Sequence, residues 1–322
     1  MVNRLDLLPN EILAMIYSYL SKSEVLICMG GDDNYYNPLR TAEFLHKTKW
    51  NKLPEMLAPR DRFNAVGIDN FVYIVGGHDG KEPVSTMESF DFQSRNWRVH
   101  SQMNTVRTGC VTAAVQVGNS EAILVSGGRN NQDGILQTAE VFNTQNQNWT
   151  MVANMRTHRT HHCGVVFESE VFAIGGYDGF NTISTCEKYS PVENQWHDVP
   201  NMRRARQNAA ATVANKKIFV AGGQDRNGHG LASVEVLNPS NAIWVNVSNM
   251  NSIRSGLGLA TFGDMVIAVG GVRGWYSDHR TVEVYDIEND LWTTGPALST
   301  ARWFFALTTV EVDNLYINEL KK

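Results

Sequence analysis

From Thr108 to Val152 the chain alternates short apolar runs with clusters of turn formers: TGCVTAAVQV, EAILVSGG, TAEVFNT and NWTMV. Each run is rich in β-branched and aromatic residues and is too short for a stable helix, so each reads as a strand. Four such strands in succession predict one small antiparallel sheet. The stretch FVYIVGGHDG at 71–80 shows how a strand ends: apolar residues run into Gly76 and Gly77 and then a polar tip. A phosphate loop would require a lysine at fixed spacing and a following helix whose N-terminal amides face the anion. Neither follows, so the pair reads as a strand end where positive φ or close backbone approach is required.

The pattern repeats along the whole chain. Gly-Gly pairs begin at Gly30, Gly76, Gly127, Gly175, Gly222 and Gly270, at intervals of 46, 51, 48, 47 and 48 residues. The second glycines are Gly31, Gly77, Gly128, Gly176, Gly223 and Gly271. A tryptophan follows each pair by 20 to 22 residues: Trp50, Trp97, Trp149, Trp196, Trp244 and Trp292. Ten residues after each tryptophan stands an arginine: Arg60, Arg107, Arg159, Arg206, Arg254 and Arg302. Glu88, Glu140, Glu187, Glu235 and Glu283 lie nine residues before their tryptophans, whereas Glu43 lies seven before Trp50, so the first unit has a shorter hairpin. Met56, Met103, Met155, Met202 and Met250, with Leu298 in the last unit, precede the arginines by four residues and read as core.

A lone four-stranded unit cannot bury both faces, so six of them predict a radial stack. The chain begins its first unit at the second strand, EVLICMGG, and ends with a first-strand segment, WFFALTTVEV. The C-terminal strand should therefore complete the N-terminal sheet and remove an exposed edge. The expected organisation is a helical segment over 1–23, the repeats over 24–312 and a peripheral tail over 313–322, with a partial seventh unit as the alternative for that tail.

The double glycine, the intervening glutamate and the spaced tryptophan resemble kelch repeats, over about residues 24–312. The resemblance implies an all-β, six-bladed propeller of four-stranded antiparallel blades. It implies that the tryptophans fill gaps between blades, and that the arginines and glutamates satisfy buried backbone or pair across blades.

Strands in the order a, b, c, d put the b–c and d–a connections on one face. Function on such scaffolds is carried by loops. Tyr35, Arg129, Asn131, Tyr177, Arg226, Arg273, Trp275, Tyr276 and Trp303 fall on these connections and combine the aromatic and arginine types that dominate binding hot spots. Trp303 belongs with Asp61, Thr108, Thr160, Gln207 and Ser255, the residues directly after the repeat arginines, which should ring the same mouth. In kelch-type substrate adaptors of ubiquitin ligases this face grips a short peptide, often acidic. The resemblance thus implies Arg129 and Asn131 as carboxylate or backbone ligands, arginine through its fork of donors. Asp32, Asp33, Asp61, Asp79 and Asp178 lie near the same mouth and argue against a strongly acidic ligand.

Residues 8–21 have helical spacing, with Ile12, Leu13, Ile16, Tyr19 and Leu20 on one face. They resemble the opening helix of an F-box, though EVLICMGG intervenes before a full one could form. A capping helix on the propeller is the alternative. The BTB and BACK domains that many kelch adaptors carry are not expected within these 322 residues.

Charge and composition narrow the function. Lys and Arg number 28 against 33 Asp and Glu, for a net charge of −5, without a basic block, so nucleic acid is not the expected partner. The N-terminal apolar stretch is interrupted by Asn10 and Glu11 and is too short to cross a bilayer, so no membrane is expected. Cys28, Cys110, Cys163 and Cys186 lack metal or disulfide spacing and read as buried thiols, consistent with the cytoplasm. His158, His161, His162 and Cys163 lie close in sequence, but their stretch turns from loop to strand, so they read as loop histidines with no metal. No G-x-S-x-G, H-E-x-x-H or P-loop occurs. The expectation is a non-catalytic, cofactor-free protein-interaction module that recruits a target for a cullin-type ubiquitin ligase, with actin or cytoskeletal scaffolding as the rival and a kelch-fold enzyme as the less favoured alternative.

Overall fold

The structure, a computed structural model, describes residues 24–312 apart from 34, 47–48, 119 and 273–279. The expected N-terminal helix and the 313–322 tail lie outside the described residues. Within them there is no helix, and six four-stranded antiparallel sheets surround a central channel. Blade 2 illustrates the order from axis to rim: strand a (Asn64–Ile68), b (Phe71–Val75), c (Met87–Asp91) and d (Asn96–Val99). Strand b, enclosed on both faces, is apolar nearly throughout, while strand d is largely solvated.

The predicted closure is present. Ala306–Glu311 pairs with Glu24–Met29 as strand a of blade 1, whose c and d strands are Ala42–His46 and Lys49–Leu53. The shortened first hairpin is visible in its register, His46 opposite Lys49, against Asp91 opposite Asn96 in blade 2. The a strands of blades 3 to 6 are Val111–Val117, Cys163–Phe167, Ala210–Ala214 and Gly258–Phe262, and each a strand packs on the next around a closed circle.

Six apolar clusters fill the wedges, each drawn mainly from two neighbouring blades. Between blades 4 and 5, for instance, Phe172 and Ile174 meet Ile218, Val220 and Trp244. Full burial of one such large apolar side chain stabilises by about 1.5–3 kcal/mol. The five methionines and Leu298 are buried in these wedges as expected.

The repeated polar residues join one blade to the next. Each arginine lies on the link into a blade and reaches that blade's glutamate: Arg107 Nε donates to Glu140 at 3.1 Å, and Nη1 donates to the Gly127 and Thr138 carbonyls at 2.9 and 2.8 Å. Glu140 in turn accepts the Asn104 and Thr105 amides of the link at 2.8 and 3.2 Å. Arg302 repeats this at the closure, donating to Glu43 and to the Gly30 and Thr41 carbonyls. Each of the six repeat tryptophans donates its indole N–H to a carbonyl at the end of the preceding blade, Trp196 to Ala153 at 2.9 Å and Trp50 across the closure to Pro296 at 3.1 Å. Both glycines of a pair have positive φ, and a Cβ on Gly127 would stand 2.5 Å from the Arg159 carbonyl oxygen. The pair is therefore enforced by the backbone of the incoming link.

Candidate functional site: the loop-lined channel mouth

The b–c and d–a connections share one face, as the strand order requires, and are tied together by short bridges such as Thr108 to Arg129 and Thr160 to Tyr177. Those bridges bury the residues that directly follow the arginines. Asp61, Thr108, Thr160, Ser255 and Trp303 are all buried. Trp303, expected on the binding surface, is only 5 % exposed, because it pairs with Asp32 and packs on Tyr36 with ring centroids 4.6 Å apart. The predicted ring lies one residue too early.

The residues one position later, Arg62, Gly109, His161, Asn208, Gly256 and Phe304, line the opening. All have positive φ, from +48° to +66°. Their backbones form a closed circle of hydrogen bonds: the Gly109 amide donates to the Arg62 carbonyl, His161 to Gly109, Asn208 to His161, Gly256 to Asn208, Phe304 to Gly256 and Arg62 to Phe304, at 2.8–2.9 Å. The sequence carried a signal for this circle, since Gly, Asn and His are the residues that tolerate positive φ. Arg62 and Phe304 obscured it. Phe304 is bulky for that conformation; Gly256 leaves the space its ring occupies, and the Arg62 guanidinium lies 4.7 Å above that ring.

Beside this circle a cavity of about 340 Å³ is lined by Arg62, His78, Lys81, Pro83, Thr108, Arg129, Asn131 and His161. Arg129 and Asn131 are the two sequence-derived candidates it brings together, and both are exposed. Arg62, Lys81 and His161 were not foreseen. Desolvation, reinforced by the Arg62 and Arg129 charges, lowers the His161 imidazole to about 4 and keeps it neutral. A polar groove of about 550 Å³ between blades 2 and 3 shares Pro83 and Asn131 with this cavity.

The other candidates stand elsewhere on the face. Tyr35 is 82 % exposed. Tyr177 is half-buried and its hydroxyl donates to the Gly179 carbonyl at 2.9 Å, and exposed Arg226 donates from Nε to the Thr182 carbonyl at 3.3 Å. Arg273, Trp275 and Tyr276 lie outside the described residues.

The acidic residues near the mouth are engaged by their own surroundings. Asp33, Asp79 and Asp178 accept backbone amides of their own loops, as Asp79 does from Lys81 and Glu82 at 2.8 and 2.9 Å. Asp32 and Asp61 are buried, and Arg62 pairs with Asp61 and lies 3.8 Å from Asp32. Burial and repulsion from Asp61 raise Asp32 to about 7, and burial raises Asp61 in the same direction. What remains presented to the cavity is cationic.

Below the circle the channel holds a cavity of about 210 Å³ lined by Cys110, Thr112, His162, Cys163 and Asn208 among others. His162, the loop residue directly before strand a of blade 4, is buried there and held neutral by desolvation. Among the described residues no three His, Cys, Asp or Glu side chains converge as metal ligands would. The four cysteines are buried and free, with thiols raised by burial.

Residues 13–176 match the family model of the KLHDC2/KLHL20/DRC7 Kelch-repeats domain, and 158–203, 205–251 and 253–299 match the Kelch motif. Kelch-like protein 36 of Mus musculus is 24% identical over 320 residues, covering 92% of this chain and 50% of its own. The Caenorhabditis elegans Kelch repeat and BTB domain-containing protein F47D12.7 is 31% identical over 114 residues, 35% of this chain and 20% of that one. The chain thus spans half or less of the length of these relatives. Among solved structures, that of YjhT superposes with a TM-score of 0.68 at 14% identity, covering 85% of this chain and 97% of that one, which shows the shared fold.

Proposed function

Because the chain belongs to the kelch-repeat family, we propose that it is a non-catalytic recruiter whose channel mouth grips an extended, anionic segment of a target protein. The observation that carries this reading is the convergence of Arg62, Lys81 and Arg129 on one cavity beside a neutral His161. Arginine forks and a lysine ammonium match carboxylate groups, and the groove between blades 2 and 3 offers the flanking residues hydroxyl and amide partners from Thr105, Asn131 and Gln132, beside the carboxylates of Glu82 and Asp133. The scaffold suits such a role: rigid backbone holds the loops, so little ordering entropy opposes binding.

We further assign the target's fate to a cullin-type ubiquitin ligase. Support comes from the likeness of the repeats to ligase adaptors and from the relative whose name joins kelch repeats to a BTB domain. The free, buried thiols suit the reducing cytoplasm.

Affinity capture with the intact chain and a Lys81→Glu/Arg129→Glu variant tests this reading. Recovery of a target together with cullin-ligase subunits by the intact chain, and loss of that target by the variant, is the expected result. Recovery of the same target by both refutes the mouth as its site. Co-sedimentation with actin filaments would instead favour the scaffold role.

A further inference from the structure

We propose that Asp32 and Asp61 share a proton and so govern, through Arg62, how strongly the mouth holds an anionic ligand. The regulatory inference rests on the reading of the mouth as an anion-binding site.

Asp32 is fixed on the b–c loop of blade 1, its amide donating to the Trp303 carbonyl at 2.8 Å. Asp61 is fixed on the link into blade 2, exchanging backbone bonds with His78 at 3.0 and 2.9 Å. Their side chains are 2 % and 3 % exposed and within hydrogen-bond reach of one another. On each, Oδ1 meets no hydrogen-bond donor among the described residues. Two ionised carboxylates placed this way repel and leave both oxygens unsatisfied, whereas a single proton between them serves both.

The surroundings do not remove that need. From the link into blade 1, the Trp303 indole N–H lies against Asp32. From blade 2, His78 Nδ1 is 3.9 Å from Asp61. Arg60, next in sequence, is turned to Glu88. Lys81, Arg129 and neutral His161 face Arg62 across the cavity. Arg62 is thus the cation that connects the pair to the mouth, with its side chain 31 % exposed.

With the proton present, Asp32, Asp61 and Arg62 sum to zero and the guanidinium serves one carboxylate and the cavity. Loss of the proton, in the range near 7 to which burial raises Asp32, makes that sum −1 and draws Arg62 onto the pair. Anion affinity should fall as pH rises. His78 stands 3.9 Å from Asp61 and is given its own control.

The test uses the full chain labelled with 5-fluorotryptophan, the Trp303 resonance being assigned with Trp303→Phe, and a fluorescent hexaglutamate peptide as probe, between about pH 5.5 and 8.5. The Trp303 resonance should titrate near neutrality in the intact protein and in His78→Gln, and stay constant in Asp32→Asn. Hexaglutamate affinity should fall about fivefold across that range in the intact protein and stay nearly constant in Asp32→Asn. A Trp303 resonance that does not titrate, or that titrates unchanged in both Asp32→Asn and Asp61→Asn, overturns the shared proton. A pH dependence of peptide binding that survives Asp32→Asn overturns its control of the mouth. Absence of hexaglutamate binding at every pH, with Trp303 still titrating through Asp32, refutes the anionic reading of the mouth while supporting the proton pair.

Discussion

At the scale of single residues, the molecule depends on charged groups placed where charge is costly. Arg159 and Glu187 are almost wholly enclosed, and they are tolerated because Arg159 also donates to the Gly175 and Thr185 carbonyls while Glu187 accepts the Arg156 amide. Removing one partner strands the other. Arg159→Met should therefore destabilise the protein by about 3–5 kcal/mol in denaturant unfolding, and the Arg159→Met/Glu187→Leu double variant by less than the sum of the single changes. Asp32 makes the opposite kind of demand. Its carboxyl is raised in the folded protein, so the fold holds a proton that the unfolded chain releases. That contribution is complete below the ordinary carboxylate range, near 4, and is lost as pH rises towards about 7. Unfolding curves of the intact protein minus those of Asp32→Asn should show a stability difference that declines over that window; a flat or rising difference would contradict the assignment.

At the scale of the blade, repetition made the fold legible. Six tryptophans, arginines and glycine pairs at near-constant spacing fixed the strand ends, because each meets the same backbone in every wedge. Gly175 shows the constraint: it sits at φ +63°, and a Cβ would approach the Arg206 carbonyl oxygen to 2.6 Å. Gly175→Ala should cost more than about 1 kcal/mol, through the conformation and the clash together, and lower the midpoint of thermal unfolding. The mouth was less legible for the same reason. Trp303 occupies a repeat position, but whether that position faces solvent or a neighbouring loop depends on bridges such as Asp32 to Trp303, which no spacing encodes. Arg62 and Lys81 come from two connections of blade 2 that the Asp61–His78 bridge joins, and Arg129 meets them only when blade 3 is stacked alongside. Arg129 was recognisable because it directly follows a glycine pair.

At the scale of the whole molecule, closure makes the circle uniform: Arg302 reaches Glu43 as Arg159 reaches Glu187, and Trp50 reaches Pro296 as Trp196 reaches Ala153. Arg302→Met should therefore be as destabilising as Arg159→Met, to within about 1 kcal/mol; a markedly smaller effect would mean that the ring opens at that seam. A closed ring presents two dissimilar ends, and only one gathers Arg62, Lys81 and Arg129. The most direct examination of that asymmetry is site-specific photocrosslinking in cells, with a benzophenone amino acid at Arg129 on the mouth and, separately, at Val166 at the opposite end of the channel. Specific crosslinks to a target protein from position 129, absent from 166 and competed by an excess of unlabelled chain, are the predicted result. Crosslinks to the same target from 166 and none from 129 would contradict it.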